Sequence, residues 1–229
     1  MLDAVKVAGI EENTLIIFTS DNGCSPAAKI DELEAAGHYP GYIYRGHKAD
    51  IFEGGHRVPF LAKWPAKIKQ GSISDETICT TDLMATCAEI TGYNLSDGEG
   101  EDSYSLLPLF GQMVLEKPFR EATVHHSING SFAIRQGDWK LILCPGSGGW
   151  SFPRPEDKAA LDSLPKIQLY NLREDPGERV NLQGKYPEKV LELKSLLSKY
   201  IREGRSTPGL PQKNDEIEFE WIQIDFLEE

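Results

Sequence analysis

Several things are scarce or missing in this 229-residue sequence, and each absence closes off a class of protein. No apolar run approaches the roughly 20 residues that a membrane-spanning helix needs. Residues 1–10 have neither a basic start nor an apolar core, so they do not read as an export signal. Lys and Arg number 24 against 36 Asp and Glu, and a net charge of -12 lacks the basic footprint that nucleic-acid binding requires. The four cysteines form no C-x-x-C or C-x-x-H pair, which removes the usual zinc signatures. Cys79 and Cys87, eight apart, straddle an expected helix start, a spacing that allows a disulfide without supporting one, and they are read as buried thiols. What remains, 40% hydrophobic and 26% charged, is ordinary globular composition, enough for one substantial domain or one and a half small ones.

The stretch 14–59 organises the rest. Residues 14–18 (TLIIF) are a short apolar and β-branched run, which predicts a strand buried on both faces of a parallel sheet. The run ends in Ser20, Asp21, Asn22 and Gly23. These are turn residues. They also place several oxygens at the carboxyl end of a strand, where α/β sheets bind ligands and where a hard cation such as calcium finds the donors it takes. Downstream, Arg45, His47, Lys48, His56 and Arg57 are interleaved with Gly46, Gly54 and Gly55, which let backbone approach a ligand closely. Cations and glycines together predict an anion site.

Taken in order, TSDNG (19–23), RGHK (45–48), EGGHRVPF (53–60) and the Trp64-Pro65 pair resemble the second half of the formylglycine-dependent sulfatases (arylsulfatases), a family of the alkaline-phosphatase-like superfamily. TTDLMATCAEITGY (80–93), FAIRQGDWKLI (132–142) and LYNLREDPGERVNL (169–182) continue the match across nearly the whole chain. The resemblance implies hydrolysis of a sulfate ester on a sulfated carbohydrate or aryl substrate. Calcium would be held partly by Asp21 and Asn22, and Lys48 would neutralise charge developing on the ester or sulfate oxygen. Members of the family carry their nucleophile as a formylglycine, made from the Cys of C-x-P-x-R or C-x-A-x-R. That motif is absent: Cys24 leads into Ser25-Pro26-Ala27, and Cys79, Cys87 and Cys144 have no Arg four residues on. The chain is therefore expected to be a carboxy-terminal portion with half an active site, inactive alone. Its missing amino-terminal half becomes a candidate partner, and the family's usual export suggests periplasm, lysosome or the cell exterior.

Further candidates accompany the motif. Arg45, His47, His56 and Arg57 would bind substrate, although Arg45 and Arg57 would equally serve to hold the loop through Asp50 or Glu53. His125 and His126 stand at the end of an expected strand beside Ser127 and Asn129. His126 would give a proton to a leaving alcohol and His125 would touch substrate, or the two are structural. Residues 144–165, rich in Gly and Pro, form an expected loop long enough to suggest a substrate-facing lid. Trp150 and Tyr42 either stack on a sugar or pack. Asp82 reads as a helix cap and Asp175 to Glu178 as a turn, not a catalytic carboxylate pair.

The expected architecture is α/β: residues 1–117 as the carboxy-terminal part of an alkaline-phosphatase-like sandwich, and 118–229 as a small antiparallel sheet packed by a C-terminal helix. Strands are predicted at 58–64, 122–126, 132–135, 139–143 and 168–172, with a helix from Asp82 to the Gly92 stop. Pro187 opens an amphipathic helix with Val190, Leu193, Leu197 and Ile201 on one stripe. From residue 216, alternation of Ile217, Phe219 and Trp221, then Ile222, Ile224 and Phe226, predicts an edge strand with a bulge. Two other functions fit the residues: a non-catalytic binding module for sulfated glycans, and a phosphatase or phosphodiesterase of the same superfamily. The latter's two-metal site needs more Asp and His ligands than this chain supplies.

Overall fold

Residues 14–18 do enter a strand, β1 (Ile16–Thr19), but its partner β2 (Phe60–Lys63) runs antiparallel, with Ile17 opposite Ala62 and Phe18 opposite Leu61. In the computed structural model, which describes residues 1–111, 115–214 and 222–227, only one face of this pair is covered. Phe60 and Ala62 pack with Trp64, Leu106 and Phe110, whereas Phe18 and Leu61 share the open face and are 67% and 59% exposed. The expectation of a parallel strand buried on both faces is thus corrected among the described residues. A short apolar run signals burial, but periodicity carries nothing about the direction of a partner strand.

By its contacts the chain divides into two units, each assembled from separated stretches: 1–21, 59–121 and 205–210 in one, 22–58, 122–204 and 211–229 in the other. The first unit holds β1, β2 and helix α1 (Leu83–Thr91). Asp82 precedes α1, is fully buried, and accepts hydrogen bonds from Cys79 N at 2.7 Å and Tyr104 N at 3.0 Å. Its Oδ2 also meets the Arg120 guanidinium at 3.3 Å. Asp82 stands at the N-cap position of α1 but makes no side-chain capping bond to it; its carboxylate closes the 3₁₀ turn Thr80–Asp82 through Cys79 N instead, and Gly92 ends the helix at φ 73°, a conformation glycine takes at no steric cost.

The second unit is a four-stranded antiparallel sheet in the order β3 (Thr123–His126), β4 (Phe132–Gln136), β5 (Trp139–Ile142), β6 (Gln168–Asn171). Side chains alternate across a strand, and here both faces are used. Phe132, Ile134, Leu141 and Leu169 face helix α2 (Pro187–Glu203), which contributes Val190, Leu193, Leu197 and Tyr200. Ala133, Ile142 and Tyr170 face the other way, onto Ile51 and Phe52 of the motif segment. The predicted small sheet and amphipathic helix are therefore present, and the sheet doubles as the floor beneath residues 45–56.

Two expectations change. Ile217, Phe219 and Trp221 lie outside the described residues, while Ile222–Leu227 is a 3₁₀ helix, so no edge strand forms there. Ile224 and Phe226 instead pack on the helix-side core, with Phe226 6.2 Å from the Phe132 ring, and Gln223 donates to Asn129 O at 2.8 Å. Tertiary packing overrides the period-2 pattern. All four cysteines are free, and only Cys144 is buried; Cys24 and Cys79 are half-buried and Cys87 is exposed on α1.

Replacing Asp82 by Ala leaves Arg120 buried without its carboxylate, and is expected to cost on the order of 3 kcal/mol. Urea denaturation checks this, and a loss below about 1 kcal/mol would mean the pair is not the anchor its burial implies.

Candidate active site

The sequence motif closes on itself through backbone. Lys48 N donates to Cys24 O at 2.9 Å and Gly23 N to Gly55 O at 3.0 Å, which brings residues 22–24 against the 45–56 segment. Gly23 is required at this crossing, because a Cβ there would overlap the Gly54 carbonyl oxygen. Asn22 donates its side-chain Nδ2 to Gly23 O at 3.1 Å. Asp21, two residues past β1, is exposed. Both are hard oxygen donors and fit calcium as part of a shell, since calcium takes about 6–8 oxygens. Among the described residues no group of three or more His, Cys, Asp or Glu is placed to hold a metal, so these two are a partial ligand set.

The carboxylates nearest Lys48 in sequence are both turned inward. Asp50 is fully buried. Its Oδ1 accepts from Trp150 N at 2.8 Å and Ser151 N at 2.9 Å, and its Oδ2 from His47 N at 2.9 Å and Ser151 Oγ at 2.5 Å. Glu53 begins a one-turn helix, Glu53–His56, and its Oε1 takes the Lys140 ammonium at 3.0 Å. Its Oε2 meets Arg57 at 3.4 Å and Arg135 at 3.5 Å. Lys48 itself is half-buried, and among the described residues its ammonium has no carboxylate within ion-pair distance.

Beneath the loop lies a charge network that sequence reasoning missed. Lys140, fully buried on the loop-facing side of β5, lies 3.0 Å from Glu53 Oε1 and 3.0 Å from Glu178 Oε1. The second contact is an ion pair. Glu178 Oε2 accepts from Glu53 N at 2.6 Å. Burial would raise the Glu53 carboxyl, but Lys140 and its other cationic neighbours bring it down to about 2. Burial raises Glu178 against the pull of Lys140. The Asp175 to Glu178 turn is therefore also the support of the motif loop. The available signal was a Lys at an inward strand position, legible only once both sheet faces are known to be covered.

The remaining candidates fall into place around this network. Arg45 donates to Glu178 O at 3.0 Å and sits 3.9 Å over the Phe52 ring, so it holds the loop without the Asp50 or Glu53 carboxylate. Arg57 pairs with Glu53 and lies 4.5 Å over Tyr44. His47 turns inward, with Nδ1 3.0 Å from Lys48 O and Nε2 3.1 Å from Ser151 Oγ. The His56 and His125 rings lie against each other at a tilt of 44°, their centroids 5.0 Å apart. The His56 Nε2 is buried with no hydrogen-bond partner among the described residues, and burial first, then Lys140, lowers its pKa to about 4. His125 is held well below its usual value by burial and by His56, with Nε2 2.9 Å from Thr123 Oγ1. His126 is exposed, its Nδ1 3.4 Å from Gly130 O and its ring 4.2 Å from Phe132.

These shifts give stability a defined pH dependence. His56, with a folded pKa near 4 against 6.5, refuses a proton that the unfolded chain accepts, so stability is lost as pH falls through that window. Glu53, near 2 against 4.5, contributes stability that is present above 4.5 and lost as pH falls towards 2. Urea midpoints measured from pH 7.5 to 4 should decline, with His56 accounting for up to about 3 kcal/mol. His56→Gln should flatten the decline between pH 6.5 and 4, leaving the part due to His125; an unchanged slope would show that His56 titrates freely.

Comparison with known proteins places this geometry. A family model described as Sulfatase matches residues 1–93. The N-acetylgalactosamine-6-O-sulfatase of Bacteroides thetaiotaomicron is 33% identical over 211 residues, 86% of this chain and 37% of the relative. Human arylsulfatase A is 30% identical over 207 residues, 86% of this chain and 39% of that protein. A solved sulfatase structure from a Bacteroides thetaiotaomicron locus for the metabolism of multiple glycosaminoglycans superposes with a TM-score of 0.71 at 30% identity, covering 86% of this chain and 41% of the other. The chain thus spans about two fifths of the length of the curated relatives it matches. Family model, relatives and fold agree with the motif segment described above, and the chain belongs to the sulfatase family, with its alkaline-phosphatase-like fold.

Proposed function

We propose that this chain supplies the Lys48 and Asp21-Asn22 side of a site that hydrolyses a sulfate ester, converting ester and water to an alcohol and sulfate. The observation that carries the reading is the state of Lys48. Asp50 and Glu53 spend their charge on backbone amides, Lys140 and the arginines, and Lys48 keeps its own. An unneutralised ammonium about 4 Å from a sulfate is worth on the order of 4 kcal/mol at an effective dielectric near 20. A donor of this kind stabilises most where charge grows, on the ester or sulfate oxygen during S–O cleavage.

Calcium, held in part by Asp21 and Asn22, would polarise the sulfate oxygens when bound. His126 lies opposite Phe132 on the helix-side face of the sheet, turned away from the Lys48 loop, and His125, on the loop-facing side, is committed to Thr123 and His56, so neither is assigned the proton transfer to a leaving alcohol. Arg45 and Arg57 hold the loop. The N-acetylgalactosamine-6-O-sulfatase among the relatives supports a sulfated carbohydrate as substrate. The formylglycine motif does not occur in the sequence, so the attacking group comes from elsewhere. That absence also favours a second reading, a module that binds sulfated glycans without turnover.

Sequencing the gene upstream of the Met1 codon for an in-frame C-x-P-x-R or C-x-A-x-R separates the two. In a protein that contains both parts, Lys48→Ala should lower arylsulfate turnover roughly 10²–10³-fold, as loss of an oxyanion donor does. Unchanged turnover would remove Lys48 from the mechanism. With no such motif, glycan binding by the chain without turnover would establish the binding module.

A further inference from the structure

Residues 146–149 are buried, although they form a loop of Gly146, Ser147, Gly148 and Gly149 between strands, and they end on Trp150, which is 40% exposed. Loops normally run over the surface because their backbone groups need partners. This one finds them inside. Ile51 N donates to Ser147 O at 2.9 Å, and Ser147 Oγ donates to Ser151 O at 2.6 Å while accepting from Gly149 N at 3.1 Å. Gly149 lies so close to the Lys48 loop that a Cβ there would overlap the Ala49 carbonyl oxygen. Asp50 fixes the far end of the loop through its bonds to Trp150 N, Ser151 N and Ser151 Oγ. An exposed tryptophan is thereby set on a rigid support, its amide bonded to a residue two positions from Lys48.

We infer that Trp150 is a carbohydrate-recognition residue, and that Asp50 is the positioning residue that keeps it beside Lys48. The inference rests on the reading of Lys48 as a sulfate-binding ammonium, and deepens it by naming the ligand as a sulfated pyranose. Such a ligand carries both features the site offers to meet: an anion for Lys48 and an apolar C–H face for an indole ring. Asp50 suits the task because its Oδ1 faces two N–H donors and its Oδ2 an N–H and a hydroxyl. An Asn there would turn an NH₂ towards donors and release one end of the loop.

The test is equilibrium binding of two probes to the 229-residue chain, N-acetylgalactosamine 6-sulfate and inorganic sulfate, by titration calorimetry. Trp150→Ala should weaken the sugar about three- to tenfold and leave inorganic sulfate unchanged, the range that one aromatic contact supplies. Trp150→Phe should retain most of the affinity. Asp50→Asn should reproduce the selective loss, and because Trp150→Ala alters only an exposed side chain, the test survives if Asp50→Asn does not fold. Unchanged sugar affinity in Trp150→Ala, equal weakening of both probes, or no sugar binding by the unaltered chain would overturn the inference. Lys48→Ala reports separately: if it leaves inorganic sulfate binding unchanged, the reading of Lys48 fails instead.

Discussion

The contact on which the second unit depends is the buried ammonium of Lys140 between Glu53 and Glu178. Taking a charged group out of water costs several kcal/mol even after relaxation. Lys140 is tolerated only because a strand, the one-turn helix at Glu53 and the turn at Glu178 converge on it. That requirement makes it a register device. Shifting β5 by one residue would move Lys140 onto the apolar face that packs against Leu193 and Leu197, away from Glu53 and Glu178. The network is better read as fixing which loop lies on the sheet than as a large net gain in stability.

The same charge settles the groups around it. Lys140 keeps Glu53 ionised in spite of burial, and it helps keep His56 and His125 neutral. Glu53 then has charge to share with Arg57 and Arg135, and the loop closes with its carboxylates inside. A consequence reaches the surface: Asp50 and Glu53 are consumed in building the loop, and among the described residues Lys48 has no carboxylate beside it. The preference for an anion at this place follows from what the interior uses up.

Much of this was legible in the sequence, for identifiable reasons. The β4–β5 hairpin and α2 were readable because their patterns are regular and their turn residues conventional: Gly137 at the turn, Pro187 at the helix start, Gly204 at its end. The helix start at Asp82 was readable from local signals, although the Asp82 side chain closes the 3₁₀ turn before α1 and does not cap α1 itself. Partner direction was not, since Thr19 pairs with Phe60 across some forty residues and nothing in either run encodes antiparallel. The tail misled because Ile222, Ile224 and Phe226 alternate like a strand, whereas Ile224 and Phe226 answer to a core supplied by β4 and α2. Of the proposed site, Lys48 and the Asp21-Asn22 pair came from the resemblance of RGHK and TSDNG to the family's motifs. Lys140, Glu178 and the Asp50 anchor did not, because each acts across 87 to 125 residues of chain. A buried lysine inside WKLI looks like any lysine on a solvated strand face.

The chain's net charge of -12 stands against an anionic ligand, and the geometry shows how the conflict is resolved. Salt screens exposed charges beyond about 8–10 Å, so most of the excess carboxylates act on an approaching sulfate only weakly. Of the carboxylates assigned to the neighbourhood of Lys48, Asp50 and Glu53 are buried with their oxygens turned to internal donors, and the exposed Asp21 is the one whose charge a bound calcium would offset. An anion arriving at Lys48 therefore meets a locally cationic surface on a globally acidic body. Long-range steering is forfeited, which sets the association rate, while short-range binding is retained, which sets the affinity. Such a site tolerates an acidic surface only so long as its own acids stay paired, and the loop geometry around Asp50 and Lys140 secures that pairing.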